Sequence, residues 1–312
     1  MRPDWNSPNA LYYRLNRIKN REKGDRVNSE FFATRKMLWK IIEEETGLSL
    51  GRVSMIWRGV HDDDITILIS LGILEPKKEY LNPRHAKELE KRLATDEDAR
   101  RIFMRKFCPS TSNFMRDDIG ARVLEAAAEV GSYNILSAAC GNGAETYTIA
   151  IALAEAKKRA RIVGIDINPH AIETAREGMY SRYDPGIDLM PERIRNKYFE
   201  QVKSQWGYPE LRVKKRIRVK ANFYVANLMH PLTEQGLEGT FDVVCLRNAM
   251  KYMTEEGRKR ALTSARQVLQ KQGIFIIGNK GTEGEDVLGE TEQFGFSKSK
   301  LYTPECPMYV RA

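Results

Sequence analysis

Cysteine is scarce in this sequence of 312 residues, which contains only Cys108, Cys140, Cys245 and Cys306. No two of them have the close spacing of a C-x-x-C metal or redox site, and four cysteines over this length are too few for a disulfide framework. The sequence therefore favours a protein of a reducing compartment, and we expect it in the cytoplasm.

Long apolar runs are absent as well. A stretch such as residues 274–277 is far too short to cross a bilayer, and the N-terminal residues show no apolar core of a secretory signal. We therefore expect no membrane insertion. The four histidines are scattered, and the contiguous residues H-D-D-D at 61–64 do not converge on one ion, so we also expect no metal site.

The composition is that of a globular protein with a basic surplus. Apolar residues make up 42% of the chain and charged residues 30%, which is enough apolar material for a core. Lysine and arginine outnumber the acidic residues by 51 to 42, a formal charge of +9. This surplus suits nucleic acid, an acidic protein surface or an anionic small molecule, and does not choose between them. At about 150 residues per domain, the length suggests two units.

Residues 1–105 read as one helical domain. Within residues 35–60, an amphipathic helix stops at Gly47 and a second one follows, which resembles a helix-turn-helix. A helix, a hairpin around Lys77 and a further helix come next, in the order of a winged helix. Such modules bind nucleic acid or serve only for packing and dimerisation, and both interpretations stay open. The polar residues 94–100 are a candidate hinge.

Residues 106–312 show a different hydrophobicity pattern, in which short apolar runs alternate with amphipathic stretches. This alternation predicts an α/β domain with a mostly parallel, doubly wound, Rossmann-like sheet covered on both faces. An extended C-terminal tail indicates a closing antiparallel strand. The expected strands are residues 134–139, 161–167, 241–247 and 273–278, and the expected helices are residues 145–156, 170–178 and 254–270.

A glycine loop is the sharpest local signal of this domain. A strand ending at Ala138 leads into Gly141 and Gly143, and a helix carrying Glu145 follows at once. Glycines let the backbone turn tightly and approach a ligand closely. A carboxylate at this position would repel a pyrophosphate but suits a ligand that carries an ammonium group. This argues against NAD and for S-adenosylmethionine (SAM).

Two further strand ends support a nucleoside ligand. Asp166 and Ile167 end the second strand, where an acid can accept hydrogen bonds from two ribose hydroxyls. Asn227 and Leu228 leave a later strand, where the asparagine could pair with a purine edge and the leucine pack on its face. These features make one site along the carboxyl ends of a parallel sheet.

At this point the sequence resembles the chemotaxis-receptor glutamate methyltransferases, the CheR family. The resemblance covers residues 108–312 and includes S-N-F-M-R at residues 112–116 and R-N-A-M-K-Y at residues 247–252. It is carried by the runs SAACGNGAETYTIAIAL, GIDINPHAIETAREGMY, VANL and FDVVCLRNAMKYM. Members of that family methylate glutamate side chains of receptor proteins, using SAM, which becomes S-adenosylhomocysteine (SAH), and no metal.

The resemblance also implies residue roles. Arg116 and Tyr252 would act on the acceptor side, with Asn248 beside them, and Arg116 would also lie near the methionine end of the cofactor. Glu145 would hold the amino group of SAM. The complete cofactor-binding set is expected to be Ser112, Ala138, Gly141, Gly143, Glu145, Asp166, Ile167, Asn227, Leu228 and Asn248.

The sequence departs from the family pattern in several places. Ser110 and Ser112 stand where the family usually has asparagine and threonine, and Asn168 stands where a second acid often follows the ribose aspartate. In place of the family's basic helical domain, the N-terminal half looks closer to a winged helix.

An insert is expected at about residues 180–222, where the family has a small antiparallel sheet. Its segment 211–220 carries six basic residues and no acid, and its apolar residues alternate as in a strand. This predicts either an edge strand protected by charge or a docking surface for an acidic partner.

The chemistry favours oxygen as the methyl acceptor. A carboxylate is already ionised and needs no base, Arg116 could hold it by a bidentate ion pair, and Tyr252 could orient it. Alternatively, Arg116 forms a surface ion pair with Asp117 or Asp118. The main hypothesis is a protein carboxyl methyltransferase. A nucleic-acid methyltransferase and a non-catalytic SAM sensor are the alternatives.

Overall fold

The computed structural model describes residues 25–49, 67–68, 70–74, 83–108, 112–184, 186–187, 189–203, 209–237 and 240–312. The chain divides into two compact units, residues 1–107 and residues 108–312. The division lies two residues beyond the predicted boundary. No helix in the described part of the chain is both long enough and apolar enough to span a membrane.

The described residues of the first unit are mainly helical. Its helices are α1 (Asp25–Thr46), α2 (Pro83–Thr95) and α3 (Glu97–Phe107). Helix α1 ends where the sequence predicts, because Gly47 adopts a φ of 67° and Thr46 Oγ1 accepts from Leu48 N over 3.1 Å. The second helix of the predicted helix-turn-helix and the hairpin around Lys77 lie outside the described residues.

The predicted hinge at residues 94–100 is helical, so that expectation is wrong. Helices α2 and α3 are separated by Asp96 alone. The Asp96 carboxylate accepts from Ala99 N over 3.0 Å, which satisfies a free N–H in the first turn of α3 and lets a new helix begin immediately. The polar composition reflects helix capping and solvent exposure.

The second unit is built on a seven-stranded sheet with the order β6-β2-β1-β7-β8-β10-β9. The strands are β1 (Asn134–Ala138), β2 (Arg161–Asp166), β6 (Ala221–Val225), β7 (Phe241–Leu246), β8 (Leu269–Ile277), β9 (Phe296–Lys298) and β10 (Met308–Arg311). The first five strands in this order run parallel, and β10 is antiparallel to both of its neighbours. This confirms the predicted fold class with its antiparallel C-terminal strand.

Helices connect the strands, as the alternating sequence pattern predicts. The helices are α4 (Ile119–Val130), α5 (Ala144–Glu155), α6 (Pro169–Glu177), α7 (Glu192–Tyr198), α8 (Lys215–Arg218), α9 (Glu255–Val268), α10 (Lys280–Glu283) and α11 (Glu285–Gln293). Strands β1 and β7 are completely or almost completely buried. Strand order reverses between them, and such a switch point opens a crevice at the carboxyl ends of the strands.

The insert forms a separate three-stranded antiparallel sheet, β3-β5-β4. Its strands are β3 (Met179–Ser181), β4 (Phe199–Lys203) and β5 (Pro209–Val213). Two expectations for residues 211–220 are therefore wrong: that they form an edge strand, and that the strand continues to residue 220. Strand β5 lies in the centre of this sheet, and the chain leaves it for the helical turn α8. The turn buries Ile217 and leaves Val219 67% exposed, so the apolar residues beyond Val213 do not keep the alternation of a strand.

Candidate active site

The glycine loop between β1 and α5 has a backbone that side chains would obstruct. Gly141 and Gly143 have φ angles of 56° and 84°. A Cβ atom on Gly143 would lie 2.7 Å from Ala175 Cβ and 3.1 Å from a ring carbon of Phe223. The loop therefore packs directly on α6 and β6, and its position depends on the absence of a side chain.

Asp166 is buried beside this loop at the end of β2. Its carboxylate accepts from Gly141 N over 2.8 Å and from Asn168 N over 2.9 Å. Burial raises the pKa of Asp166 to about 6, although these N–H groups partly offset the rise by favouring the ionised form. Asp166 thus joins the ends of β1 and β2, and Ile167 follows it, half-buried.

Asn168, which stands where the family often has an acid, serves two local functions. Its Oδ1 caps α6 by accepting from His170 N over 3.0 Å. Its Nδ2 donates to the carbonyl of Cys108 over 3.1 Å. A carboxylate could cap the helix but could not donate this second bond, so asparagine ties residue 108 to the end of β2.

The segment containing Arg116 lies over the glycine loop. Ser112 N donates to Asn142 Oδ1 over 3.1 Å, and Met115 N donates to Thr148 Oγ1 over 3.1 Å. The side chain of Phe114 is buried in the core of the second unit. These contacts hold the segment that contains the half-buried Arg116 against the glycine loop and helix α5.

A glycine of the insert packs against the same segment. Gly186 has a φ of 86°, and a Cβ atom there would collide with the backbone of Phe114. The Phe114 ring makes edge contacts with Tyr180 and Phe199, at centroid distances of 4.8 and 5.5 Å. The insert and the Arg116 segment are therefore packed together through backbone and aromatic contacts.

A buried ion-pair cluster lies at the switch point between β1 and β7. Arg247 Nη1 donates to Glu145 Oε2 over 3.1 Å, and Arg247 Nη2 donates to Asp117 Oδ2 over 2.6 Å. Ser137 Oγ donates to the other oxygen of Glu145 over 3.1 Å. Burial disfavours the charge on Arg247, but the two carboxylates outweigh it, so the pKa of this arginine lies above its usual value.

This cluster corrects one sequence-based interpretation and adds a residue. Asp117 pairs with Arg247, and in the described part of the chain neither it nor Asp118 pairs with Arg116. Sequence reasoning gave Arg247 no role. Its place in the R-N-x-x-x-Y segment was the available signal, but its partner Glu145 lies 102 positions away.

The residues after β7 form a loop that carries the predicted acceptor-side residues, and we call residues 247–253 the acceptor-side loop. Asn248 is half-buried with a φ of 58°. Tyr252 is half-buried in a 3-10 turn, Met250–Tyr252, and Lys251 Nζ lies 5.0 Å from the centroid of its ring. Within the described residues, Tyr252 and Arg116 make no hydrogen bond with each other.

Asn227 and Leu228 leave the carboxyl end of β6, next to β2. Asn227 Oδ1 accepts from Met229 N over 2.9 Å, and Asn227 N donates to Gln235 Oε1 over 2.7 Å. Leu228 is buried. Apart from Ser112 and Arg116, the expected site residues thus lie at or follow the ends of four adjacent strands, in the order β6, β2, β1 and β7.

Comparison with known proteins identifies the domain that carries this site. Residues 103–303, well over half of the chain, match the family model "CheR methyltransferase, SAM binding domain". The chain belongs to the CheR methyltransferase family. This confirms the resemblance seen in the sequence and the predicted cofactor, because the matched CheR domain is a SAM-binding domain.

Curated relatives of this CheR-family chain are chemotaxis enzymes. A chemotaxis protein methyltransferase of Vibrio parahaemolyticus is 30% identical over 177 residues, which cover 54% of this chain and 60% of that protein. Chemotaxis protein methyltransferase 1 of Pseudomonas aeruginosa is 28% identical over 152 residues, 46% of this chain and 53% of that protein. The chain thus matches somewhat more than half the length of these relatives.

Solved structures are similar at low identity. A TehB-like SAM-dependent methyltransferase from Corynebacterium glutamicum is 18% identical, with a TM-score of 0.40 over 74% of this chain and 100% of that one. The N-methyltransferase NodS from Bradyrhizobium japonicum, in complex with SAH, is 13% identical, with a TM-score of 0.39 over 72% of this chain and 97% of that one.

The CheR site also offers polar atoms without a partner. Arg247 Nε and Asn248 Oδ1 are buried and make no hydrogen bond, although buried polar groups are normally paired. Both lie at the strand ends where the cofactor is expected, so the residues present fit a polar ligand. In the described residues, no group of three or more His, Cys, Asp or Glu side chains could hold a metal ion.

Proposed function

We propose that this chain is a SAM-dependent methyltransferase that O-methylates a glutamate side chain of a protein, and that it acts in the cytoplasm. The observation that supports the proposal is that the predicted residues Glu145, Asp166, Asn227 and Asn248 lie at or follow the carboxyl ends of four adjacent strands in a CheR-family domain. The names of the curated relatives point the same way.

The cofactor would be held by residues of three strand ends. Asp166 would accept from the ribose hydroxyls, Asn227 and Leu228 would contact the adenine, and Glu145 would attract the amino group. The Arg247–Glu145–Asp117 cluster contains one positive and two negative groups, so a surplus negative charge remains for a cationic ligand. When bound, SAM supplies a methyl carbon that is already electrophilic.

The protein's part in the reaction is then mainly alignment, because a carboxylate nucleophile is ionised at neutral pH. Arg116 would hold the acceptor carboxylate through its planar guanidinium. Tyr252 would orient it through a hydrogen bond from its hydroxyl. Neither role needs a general base or a metal ion.

The macromolecular partner would be a protein, and the basic surface of the insert suits an acidic one. The segment 211–220 carries six basic residues and no acid. Receptor proteins are the implied substrates, since the curated relatives are named as chemotaxis methyltransferases. None of these names mentions nucleic acid, so that alternative is not favoured.

Base lability of the transferred methyl group tests the proposal. Purified protein is incubated with methyl-labelled SAM and a cell lysate, and the labelled fraction is treated with alkali. We expect label in protein that is released as methanol, because carboxyl esters hydrolyse in base and methylated amines do not. Base-stable label, or label confined to nucleic acid, would contradict a glutamate acceptor.

A further inference from the structure

A buried carboxylate outside the predicted site touches the acceptor-side loop. Glu283 is the last residue of α10 and is 3% exposed. Its Oε2 accepts from Lys251 N over 3.0 Å. The backbone N–H groups of Asn248 and Ala249 also favour the ionised form of this carboxyl. The loop therefore lies against one carboxylate, which accepts from Lys251 N and whose ionised form the N–H groups of Asn248 and Ala249 favour.

The far end of the same loop has a second anchor. Arg258 Nη1 donates to the Met253 carbonyl over 3.1 Å. This guanidinium is itself fixed by a bidentate pair with Glu290, at distances of 2.7 and 2.6 Å. Tyr252 thus lies between two anchored points, Lys251 N and Met253 O. Small movements of either anchor would displace its ring and hydroxyl.

The burial of the Glu283 carboxylate is energetically unfavourable for a residue that makes a purely structural contact. Its Oε1 is buried and makes no hydrogen bond, and burial raises the pKa of the carboxyl to about 7. An unpaired buried carboxylate oxygen opposes folding. A residue that fixes a loop at such a cost is typical of functional sites, where the surrounding structure maintains an unfavourable arrangement.

We propose that Glu283 is a positioning residue for methyl transfer, which fixes Asn248 and Tyr252 at the crevice by accepting from the backbone of the acceptor-side loop. This inference rests on the proposed function, in which Tyr252 orients the acceptor. Glu283 itself acts through Tyr252, so its removal should slow the reaction through misalignment, to which transfer rates are sensitive.

Three substitutions separate the length of the side chain from its charge. Glu283→Gln keeps an oxygen acceptor at the same reach but loses the charge. Glu283→Asp keeps the charge but withdraws the carboxylate from Lys251 N. Glu283→Ala removes both. If the bond to the backbone is what matters, the glutamine variant should be close to wild type, and the other two should be slow.

Asp242, on the strand β7 that precedes the acceptor-side loop, supplies a matched control. It is also a buried carboxylate, 3% exposed, and its Oδ2 accepts from Asn134 N over 2.7 Å. It lies near the amino end of β7, opposite to the acceptor-side loop. Asp242→Ala therefore removes the same kind of bond without touching the site.

The experiment measures single-turnover methyl transfer at saturating SAM, with lysate protein as acceptor, and amide hydrogen exchange of residues 248–253. We expect Glu283→Ala and Glu283→Asp to transfer roughly ten- to a hundredfold more slowly, with faster exchange in the loop. Glu283→Gln and Asp242→Ala should keep both the rate and the protection of the loop. All rates are taken well below the melting temperature of each variant.

A wild-type rate in Glu283→Asp, or equal slowing in Glu283→Ala and Asp242→Ala, would overturn the positioning role. Unchanged exchange in the loop of Glu283→Ala would also overturn it. Hydrogen exchange needs no substrate. An inactive wild-type protein would therefore refute the proposed function, while loss of loop protection confined to the Glu283→Ala and Glu283→Asp variants would still support the anchoring of the loop.

Discussion

Arg247 and Glu145 meet across the β1/β7 crevice, with 3.1 Å between Nη1 and Oε2. The side chain of Arg247 is 3% exposed and that of Glu145 is 11% exposed. Glu145 was expected to attract the amino group of SAM, and its charge is already partly balanced from within the protein. The more exposed Asp117 completes the cluster and restores a net negative charge.

The pair predicts an asymmetric response to mutation. Arg247→Met should lower the free energy of unfolding by about 3 kcal/mol, because it leaves Glu145 buried without a counter-charge. Adding Glu145→Gln should recover a large part of this loss. Urea unfolding of the two variants measures the difference. As a control, Arg122→Met breaks an exposed pair with Glu125 and should cost less than about 1 kcal/mol. If the double variant is no more stable than Arg247→Met, the buried charge is not the cause.

Asp166 predicts a pH dependence of cofactor binding. Its pKa of about 6 means that it is largely ionised at neutral pH and becomes protonated below that value. The ionised form accepts the stronger hydrogen bonds from ribose hydroxyls, so SAH affinity should fall as the pH drops through about 6, by up to about tenfold per pH unit. Calorimetry from about pH 5 to about pH 7.5 tests this. Asp166→Asn should bind weakly, with a flat profile; the wild-type slope persisting in this variant would assign it to another group.

Asp166 also makes the folding stability depend on pH, in the direction opposite to that of a salt-bridged carboxylate. Its folded-state pKa is raised, so the stability that it contributes is present below its unfolded pKa and is lost as the pH rises through about 6.

Gly143 predicts a steric effect beyond backbone strain. Gly143→Ala puts an alanine in a left-handed backbone conformation. It also places the new Cβ atom 2.7 Å from the Cβ atom of Ala175. Gly236 has a similar φ of 78° but open space around it, so Gly236→Ala isolates the conformational cost of about 1 kcal/mol. We expect Gly143→Ala to be clearly less stable than this control and to lose most of its SAH affinity. Equal stability and unchanged SAH binding would show that the loop can shift without harm.

The acceptor side predicts a separation of rate from binding. Tyr252→Phe removes one hydroxyl and should slow methyl transfer while SAH affinity changes little, if that hydrogen bond tightens only in the transition state. Arg116→Lys keeps the charge but loses the planar fork, so it should also be slow. Single-turnover assays and SAH titration distinguish the two effects. Tyr183 is 84% exposed, and Tyr183→Phe is the control expected to match wild type. Full activity in both site variants would remove the main support for a carboxylate acceptor.

Local signals in the sequence were sufficient for much of the cofactor side. The strand that ends at Ala138, the two glycines and the acid at residue 166 are close in the chain, and parallel strands bring their carboxyl ends together. The pairing of Arg247 with Glu145 and Asp117 depends on tertiary packing across strand β7. No local pattern encodes such a contact.

The sequence-based expectations that were wrong also failed because contacts in the folded chain decided the local structure. Alternation of apolar residues over 211–220 indicated one strand, but the strand ends at Val213 and the helical turn that follows buries Ile217. Polar residues at 94–100 indicated a hinge, although one capping aspartate is enough to join two helices. Glu283 gave no signal at all, because its partner is a backbone N–H group.

The backbone contact between Gly186 and Phe114 also has an evolutionary consequence. Any side chain at position 186 requires the turn before Arg116 to move, because the atoms it would meet are backbone atoms of Phe114. Relatives that retain this contact should therefore keep glycine at the position of residue 186, whatever side chain stands at the position of Phe114. Grafting the insert of another family member onto this chain should succeed only when that insert carries glycine at this position.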